Sequence, residues 1–267
     1  MLDILFREAV VVDGTGARRF TADVGVAADR IAFVGAAPEG AGAQRIVDCA
    51  GAVLAPGFVD VHTHDDHLPF VDPAMGSVLR QGVTSVVVGN CGDSLWPAGD
   101  PQELGPYLED LDPNLVRSWV RFGDFLDAVD ACRPGVNVAS LVGHGSVRAR
   151  ALGDLRRAAD HGARDAVRDL VRGALEDGAL GLSSGLIYQP GLFADIDELA
   201  AAAAPLAERG GVYASHVRGE GSTLFGAVAE AIAVGRHAGV PVHVSHLKLA
   251  AASVWHRAED LLTLIHD

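Results

Sequence analysis

Basic charge is scarce in this sequence: 21 Lys and Arg residues stand against 35 Asp and Glu, leaving a formal net charge of −14. A chain without a cationic surplus cannot build the basic face that phosphate backbones require, which excludes nucleic acid as a partner. An anionic membrane surface is excluded for the same reason. Cysteine is scarcer still, and Cys49, Cys91 and Cys132 are too few and too dispersed for a disulfide framework. No apolar run approaches the roughly 20 residues needed to cross a bilayer. The Ala-rich stretch Leu199 to Leu206 is short, is flanked by Asp197, Glu198 and Glu208, and reads as helix. The N-terminal MLDILFREAVVVDG mixes charge among its apolar residues and lacks the basic start and cleavage site of a secretory signal, so a cytoplasmic chain is expected. Lysine is almost missing: of the basic residues only Lys248 is one.

What is present is enough for a large core, with 49% hydrophobic and 21% charged residues. Residues 1–56 are β-like: short Val- and Ile-rich runs are bounded by Gly, Asp and Pro, with turn candidates at Asp13-Gly14 and Asp29-Arg30. From Gly57 the pattern changes to apolar runs alternating with stretches of helical periodicity. The runs at 57–63, 83–89, 136–142, 180–184, 212–217 and 241–247 predict six β/α units on a parallel sheet. A closed (β/α)₈ barrel has eight. Residues 57–267 therefore form either an open six-stranded sheet or a barrel lacking its last two units.

Active sites in parallel α/β architectures lie at the carboxyl ends of the strands. Here those ends carry His62-Thr63-His64, then Gly89-Asn90-Cys91-Gly92, Gly143-His144-Gly145, Ser215-His216 and Ser245-His246-Leu247-Lys248. Five of the six predicted strands deliver an imidazole or a thiol to one rim. The His-x-His step directs both rings to one face of an extended strand. Cys91, His216 and His246 add the soft and imidazole donors that zinc favours, so a metal site is expected. His67 reads as a loop group, and His161, His237, His256 and His266 as solvated helix residues. His243, offset by three from His246, is expected under a helix on the opposite face. Asp65 and Asp66 could orient His62 or His64, or be hydrated loop carboxylates. Cys49 and Cys132 read as structural.

The run Ala55-Pro56-Gly57-Phe58-Val59-Asp60-Val61-His62-Thr63-His64 after a β-rich leader resembles the amidohydrolase superfamily. The set His64-Asp65-Asp66, Gly89-Asn90-Cys91-Gly92, Gly143-His144-Gly145, Gly181-Leu182-Ser183-Ser184-Gly185-Leu186-Ile187-Tyr188, Tyr213-Ala214-Ser215-His216-Val217-Arg218 and His243-Val244-Ser245-His246-Leu247-Lys248 is similar to the N-acyl-D-amino-acid deacylases. That resemblance implies an incomplete TIM-type (β/α)₈ barrel at 57–267, with residues 1–56 as the N-terminal portion of a β-sandwich. It implies Cys91, His216 and His246 as ligands of a tightly held zinc, and His62 and His64 as ligands of a second, weaker position sharing Cys91. Relatives such as hydantoinases bridge two metals with a carboxylated lysine on strand four; that strand has no lysine here, and the Cys91 thiolate would supply the anionic bridge. Lys248 and Tyr188 would bind the substrate's α-carboxylate.

The implied reaction is zinc-assisted hydrolysis of the amide bond of an N-acyl-D-amino acid, yielding a D-amino acid and a carboxylate. The family's general acid and base is an aspartate ending strand eight, and none of these 267 residues matches it. The expectation is an incomplete form that binds metal but lacks the proton-transfer group. Other readings of the sequence are a hydantoinase- or dihydroorotase-like cyclic amidase, a dipeptidase, or a non-catalytic zinc protein that assembles through open sheet edges.

Overall fold

A computed structural model describes residues 1–97, 111–153 and 156–266. It divides into two units, Met1–Phe58 and Val59–Asp267. In the first, the Val- and Ile-rich runs become β1 (Leu2–Val11), β2 (Phe20–Ala27), β3 (Arg30–Gly35), β4 (Ala43–Asp48) and β5 (Val53–Leu54). Strands β1 to β3 form an antiparallel meander, whereas β4 and β5 pair with β1 in parallel. Ala9, Val11, Ala22 and Val24 alternate onto one buried face, and Cys49 packs against them.

The second sheet contains β6 (Phe58–Asp60), β7 (Val83–Val88), β8 (Asn137–Gly143), β9 (Gly181–Gly185), β10 (Val212–His216) and β11 (Val242–Val244). Its spatial order is the chain order, and the pairs from β7 to β11 are parallel. A doubly wound sheet would reverse its order at a switch point. Sequential parallel order with right-handed crossovers instead places successive helices on one face and curls the sheet. The fold is a curled half-barrel, which decides between the two architectures that strand counting allows.

Around it run α1 (Leu68–Val71), α2 (Gly76–Leu79), α3 (Pro113–Ser118), α4 (Phe122–Cys132), α5 (His144–Leu152), α6 (His161–Asp177), α7 (Ile196–Ala203), α8 (Leu206–Arg209), α9 (Leu224–Ala238) and α10 (Ala258–His266). Helix α6 shows why such stretches fold: Asp160 accepts the Ala163 N–H at its start, and Gly178 ends it with φ +114°. Ala163, Val167, Val171, Ala174 and Leu175 recur on one buried stripe. That stripe packs with Val142, Leu182 and Tyr213 from the strands. On the other face of the sheet Val87, Leu141 and Ala214 meet. The Ala-rich helical stretch is broken by Pro205 into α7 and α8. The segment between β7 and β8 reads in sequence as a patternless insertion. Its residues 98–110 lie outside the described ones, and the rest supplies Trp96, Trp119, Phe122 and Phe125 to a ring cluster that also holds Phe70.

One strand-end imidazole leaves the rim. His144 opens α5 fully buried, with Nε2 3.1 Å from Glu198 Oε1 of α7. Arg148 Nε donates to the same oxygen at 2.7 Å, and both side chains are at most 1% exposed. The rim expectation for His144 fails because the helix starts at this residue and turns its ring toward the helix layer. Burial disfavours the Glu198 carboxylate, but hydrogen bonds from His144 and Arg148 outweigh it and hold the group below its ordinary 4.5. Its contribution to stability is therefore full above the unfolded pKa and is lost as pH falls through the lowered folded value. Glu198→Gln removes the buried carboxylate charge that Arg148 and His144 share and should cost about 3–5 kcal/mol in urea unfolding at pH 7. The gap to wild type should shrink in acid; a penalty independent of pH would contradict the charge pairing.

Candidate metal centre

The centre is built on the turn after β7. Gly89, Cys91 and Gly92 there adopt φ of +73°, +55° and +78°. A left-handed backbone costs a non-glycine residue roughly 1–2 kcal/mol, so the Cys91 conformation must be imposed from outside. Ser183 of β9 does this from one side: its hydroxyl donates to the Gly89 carbonyl at 2.6 Å and accepts the Gly92 N–H at 2.9 Å. Buried Asn90 donates to the Val87 carbonyl at 2.9 Å. The Cys91 carbonyl also occupies the space that a β-carbon on Gly185 would fill, 1.9 Å from where it would stand. Only glycine at 185 admits this approach.

With the turn fixed, Cys91 Sγ lies 3.4 Å from His62 Nε2 and 3.5 Å from His246 Nε2. Two donor groups result, His62–His64–Cys91 and Cys91–His216–His246, each with one ligand atom per residue, all within 4.8 Å of one another. Cys91 belongs to both. The rings of His216 and His246 meet edge to face at 4.3 Å, and those of His62 and His246 at 5.0 Å. Burial, with His246 and His64 nearby, pushes His62 down to about 4, and burial with His246 does the same to His216. Both rings are thus neutral at pH 7, with lone pairs to offer. Burial pushes the Cys91 thiol up to about 11, against the nearby Lys248 charge. A cation shared with the imidazoles would reverse that and favour thiolate.

This set fits zinc. His62 Nδ1 and both ring nitrogens of His216 are buried without a hydrogen-bond partner. Leaving such an atom unpaired costs about 1–3 kcal/mol, and ligation through a ring nitrogen removes that cost where it occurs. Thiolate plus imidazole is a zinc donor set, and one shared thiolate between two groups can serve two ions.

The amidohydrolase family model matches residues 45–261. The chain belongs to the amidohydrolase family. This amidohydrolase chain is 40% identical over 263 residues to the D-aminoacylase of Alcaligenes xylosoxydans xylosoxydans, across 98% of its own length and 54% of that relative's. It thus spans about half the length of that relative. A D-aminoacylase structure whose binuclear metal centre shows one-metal activation and second-metal attenuation superposes with a TM-score of 0.92 at 40% identity, over 100% of this chain and 56% of that one. The N-acyl-D-glutamate deacylase of Bordetella bronchiseptica, solved with zinc and a phosphonate mimic of the tetrahedral intermediate, gives 0.89 at 38% identity over 99% and 55%.

Of the residues singled out in this amidohydrolase sequence, His62, His64, Cys91, His216 and His246 come together. Tyr188 is half exposed, with its ring 4.7 Å from that of His216, and Lys248 is half exposed beside the same group. Three details differ from expectation. Strand β6 stops at Asp60, so the His pair follows the strand; the Thr63 N–H still bonds the Val87 carbonyl at 3.2 Å, which keeps the extended path. His243 is exposed and does not lie under a helix, because it pairs with Ala214 while Val242 and Val244 take the helix side. The period-2 count fails there because β11 ends at Val244 and His246 turns to φ +32°. Asp66 accepts the Gly89 N–H at 2.9 Å, and Asp65 accepts the Thr63 hydroxyl at 2.7 Å, so these bonds hold main chain and threonine in place of the imidazoles.

Sequence reasoning missed Ser183, Asn90 and Glu220. Ser183 and Asn90 lie inside recognisable motifs, but their partners are on other strands. Gly185→Ala forces the Cys91 carbonyl to move, and it should cost about 1–3 kcal/mol in unfolding and lower zinc affinity at least tenfold in a chelator competition. Unchanged affinity would show that the close approach does not set the Cys91 position.

Proposed function

We propose that this chain carries the metal-binding part of a zinc-dependent deacylase that hydrolyses the amide of N-acyl-D-amino acids to a D-amino acid and a carboxylate. The observation that carries the reading is Cys91 shared by two histidine pairs, on a chain about 40% identical to a D-aminoacylase. Cys91, His216 and His246 hold the tight zinc in this reading, and His62 and His64 with Cys91 hold a weaker second ion. When bound, zinc supplies Lewis acidity toward the scissile carbonyl and acidifies water.

The protein's own groups do the remaining work. The Cys91 thiolate offsets cationic charge at the centre, and the neutral rings of His62 and His216 add no further positive charge. Lys248 offers its ammonium, and Tyr188 its hydroxyl, to the substrate's α-carboxylate from the half-exposed side of the site. The reading disfavours a lysine-carbamate amidase, since β9 reads GLSSG and the sequence's single lysine is engaged with Glu220 at 2.8 Å. The general acid and base is not among these 267 residues in this reading.

Metal analysis after dialysis tests the ligand assignment. Cys91→Ala and His216→Ala should abolish tight zinc, whereas His62→Ala and His64→Ala should retain one equivalent. Loss of tight zinc from the His62 variant would reverse the two sites. Assayed alone with N-acetyl-D-amino acids, the zinc-loaded chain should show no strong turnover. Rapid metal-dependent hydrolysis would place a working proton-transfer group within residues 1–267.

A further inference from the structure

After His216 the chain runs through Val217-Arg218-Gly219 and returns Glu220 to the donor group. The return is firmly held. The Glu220 carbonyl accepts the Ala250 N–H at 2.8 Å, and Arg218 grips Glu230 at 2.9 Å and donates to the Leu192 and Ala194 carbonyls. Glu220 Oε1, a buried atom, lies 2.8 Å from Lys248 Nζ, 3.2 Å from His246 Nδ1 and 3.7 Å from His216 Nε2. The opposite nitrogen of His246, Nε2, faces Cys91 Sγ at 3.5 Å. The imidazole of His246 is thus bracketed, carboxylate on one side and sulfur on the other.

We propose that Glu220 is a positioning residue that links the metal centre to the cation for the substrate's carboxylate, fixing the His246 ring and the Lys248 ammonium with one oxygen. The chemistry follows from the donor inventory. An ionised carboxylate only accepts, so Glu220 favours the His246 tautomer that carries its proton on Nδ1 and turns the Nε2 lone pair toward Cys91. A carboxylate behind a ligating imidazole also raises its basicity and holds its plane. Lys248 has three N–H groups on a flexible stem; engaging one with Glu220 restrains the stem and leaves two for an anionic ligand. Neither function is visible in the sequence, where Glu220 is one acidic residue in a loop.

The inference rests on the zinc reading of Cys91, His216 and His246, and cobalt(II) separates the two because its visible spectrum reports thiolate ligation and geometry where zinc is silent. The 267-residue chain and its Glu220→Gln, Glu220→Asp and Lys248→Met variants are titrated with cobalt(II), and their metal-free unfolding is followed by circular dichroism. Glu220→Gln should lose 10- to 100-fold in cobalt affinity and shift the visible bands, with an unchanged metal-free midpoint. Glu220→Asp should recover part of the affinity, and Lys248→Met should keep the wild-type visible bands, because Glu220 still faces His246. A Glu220→Gln variant with wild-type affinity and spectrum overturns the role of Glu220 while leaving the metal reading intact. A metal-free midpoint that falls along with affinity, in both Glu220 variants, overturns it in favour of a purely structural role. Wild-type chain that binds no cobalt overturns the metal reading and this inference with it.

Discussion

The carbonyl oxygen of Cys91 occupies the volume that any side chain at position 185 would need. This contact between a turn and a neighbouring strand governs the centre, because it sets how deep the sulfur lies between two pairs of imidazoles. The turn pays for its left-handed backbone with bonds from Ser183, and Asn90 ties it to the end of its own strand. The turn itself follows a strand end, whereas Ser183 reaches it from the middle of β9. The sulfur then lies within 3.5 Å of imidazole nitrogens from both sides.

Two kinds of polar burial hold the second unit, and they act differently. Behind the sheet, the opposite charges of Arg148 and Glu198 meet directly beside His144, tying α5 to α7. At the rim, imidazoles of like kind crowd together, and burial with their mutual repulsion keeps His62 and His216 uncharged. The first arrangement meets charge with charge, and of its polar atoms His144 Nδ1 stays buried without a hydrogen-bond partner. The second leaves ring nitrogens without protein partners, which is what a cation-binding site requires. Glu220 lies between the two behaviours: it compensates the one lysine of the chain and also faces the imidazoles.

Legibility followed the range of the interaction. The six strand positions could be read because apolar runs and helical periodicity are local properties, and the described strands fall within or near each predicted run. Trp96, Trp119, Phe122 and Phe125 could not be gathered into one cluster from sequence, since their contacts join a segment with no period of its own. His144 and His243 were misplaced for a related reason. Counting alternate residues assumes that a strand continues, and β8 gives way to a helix at His144 while β11 ends before His246.

The sequence by itself determined the alternation of strands and helices, the residue types at the strand ends, and the want of a lysine on β9. These follow from side-chain chemistry and short-range backbone preference. Tertiary structure decided that the sheet curls, because only the spatial order of the strands distinguishes a half-barrel from a doubly wound sheet. It also decided that Cys91 serves both histidine pairs, that His144 turns away, and that Glu220 meets Lys248. Those outcomes depend on contacts between residues up to 155 positions apart, which no local pattern encodes.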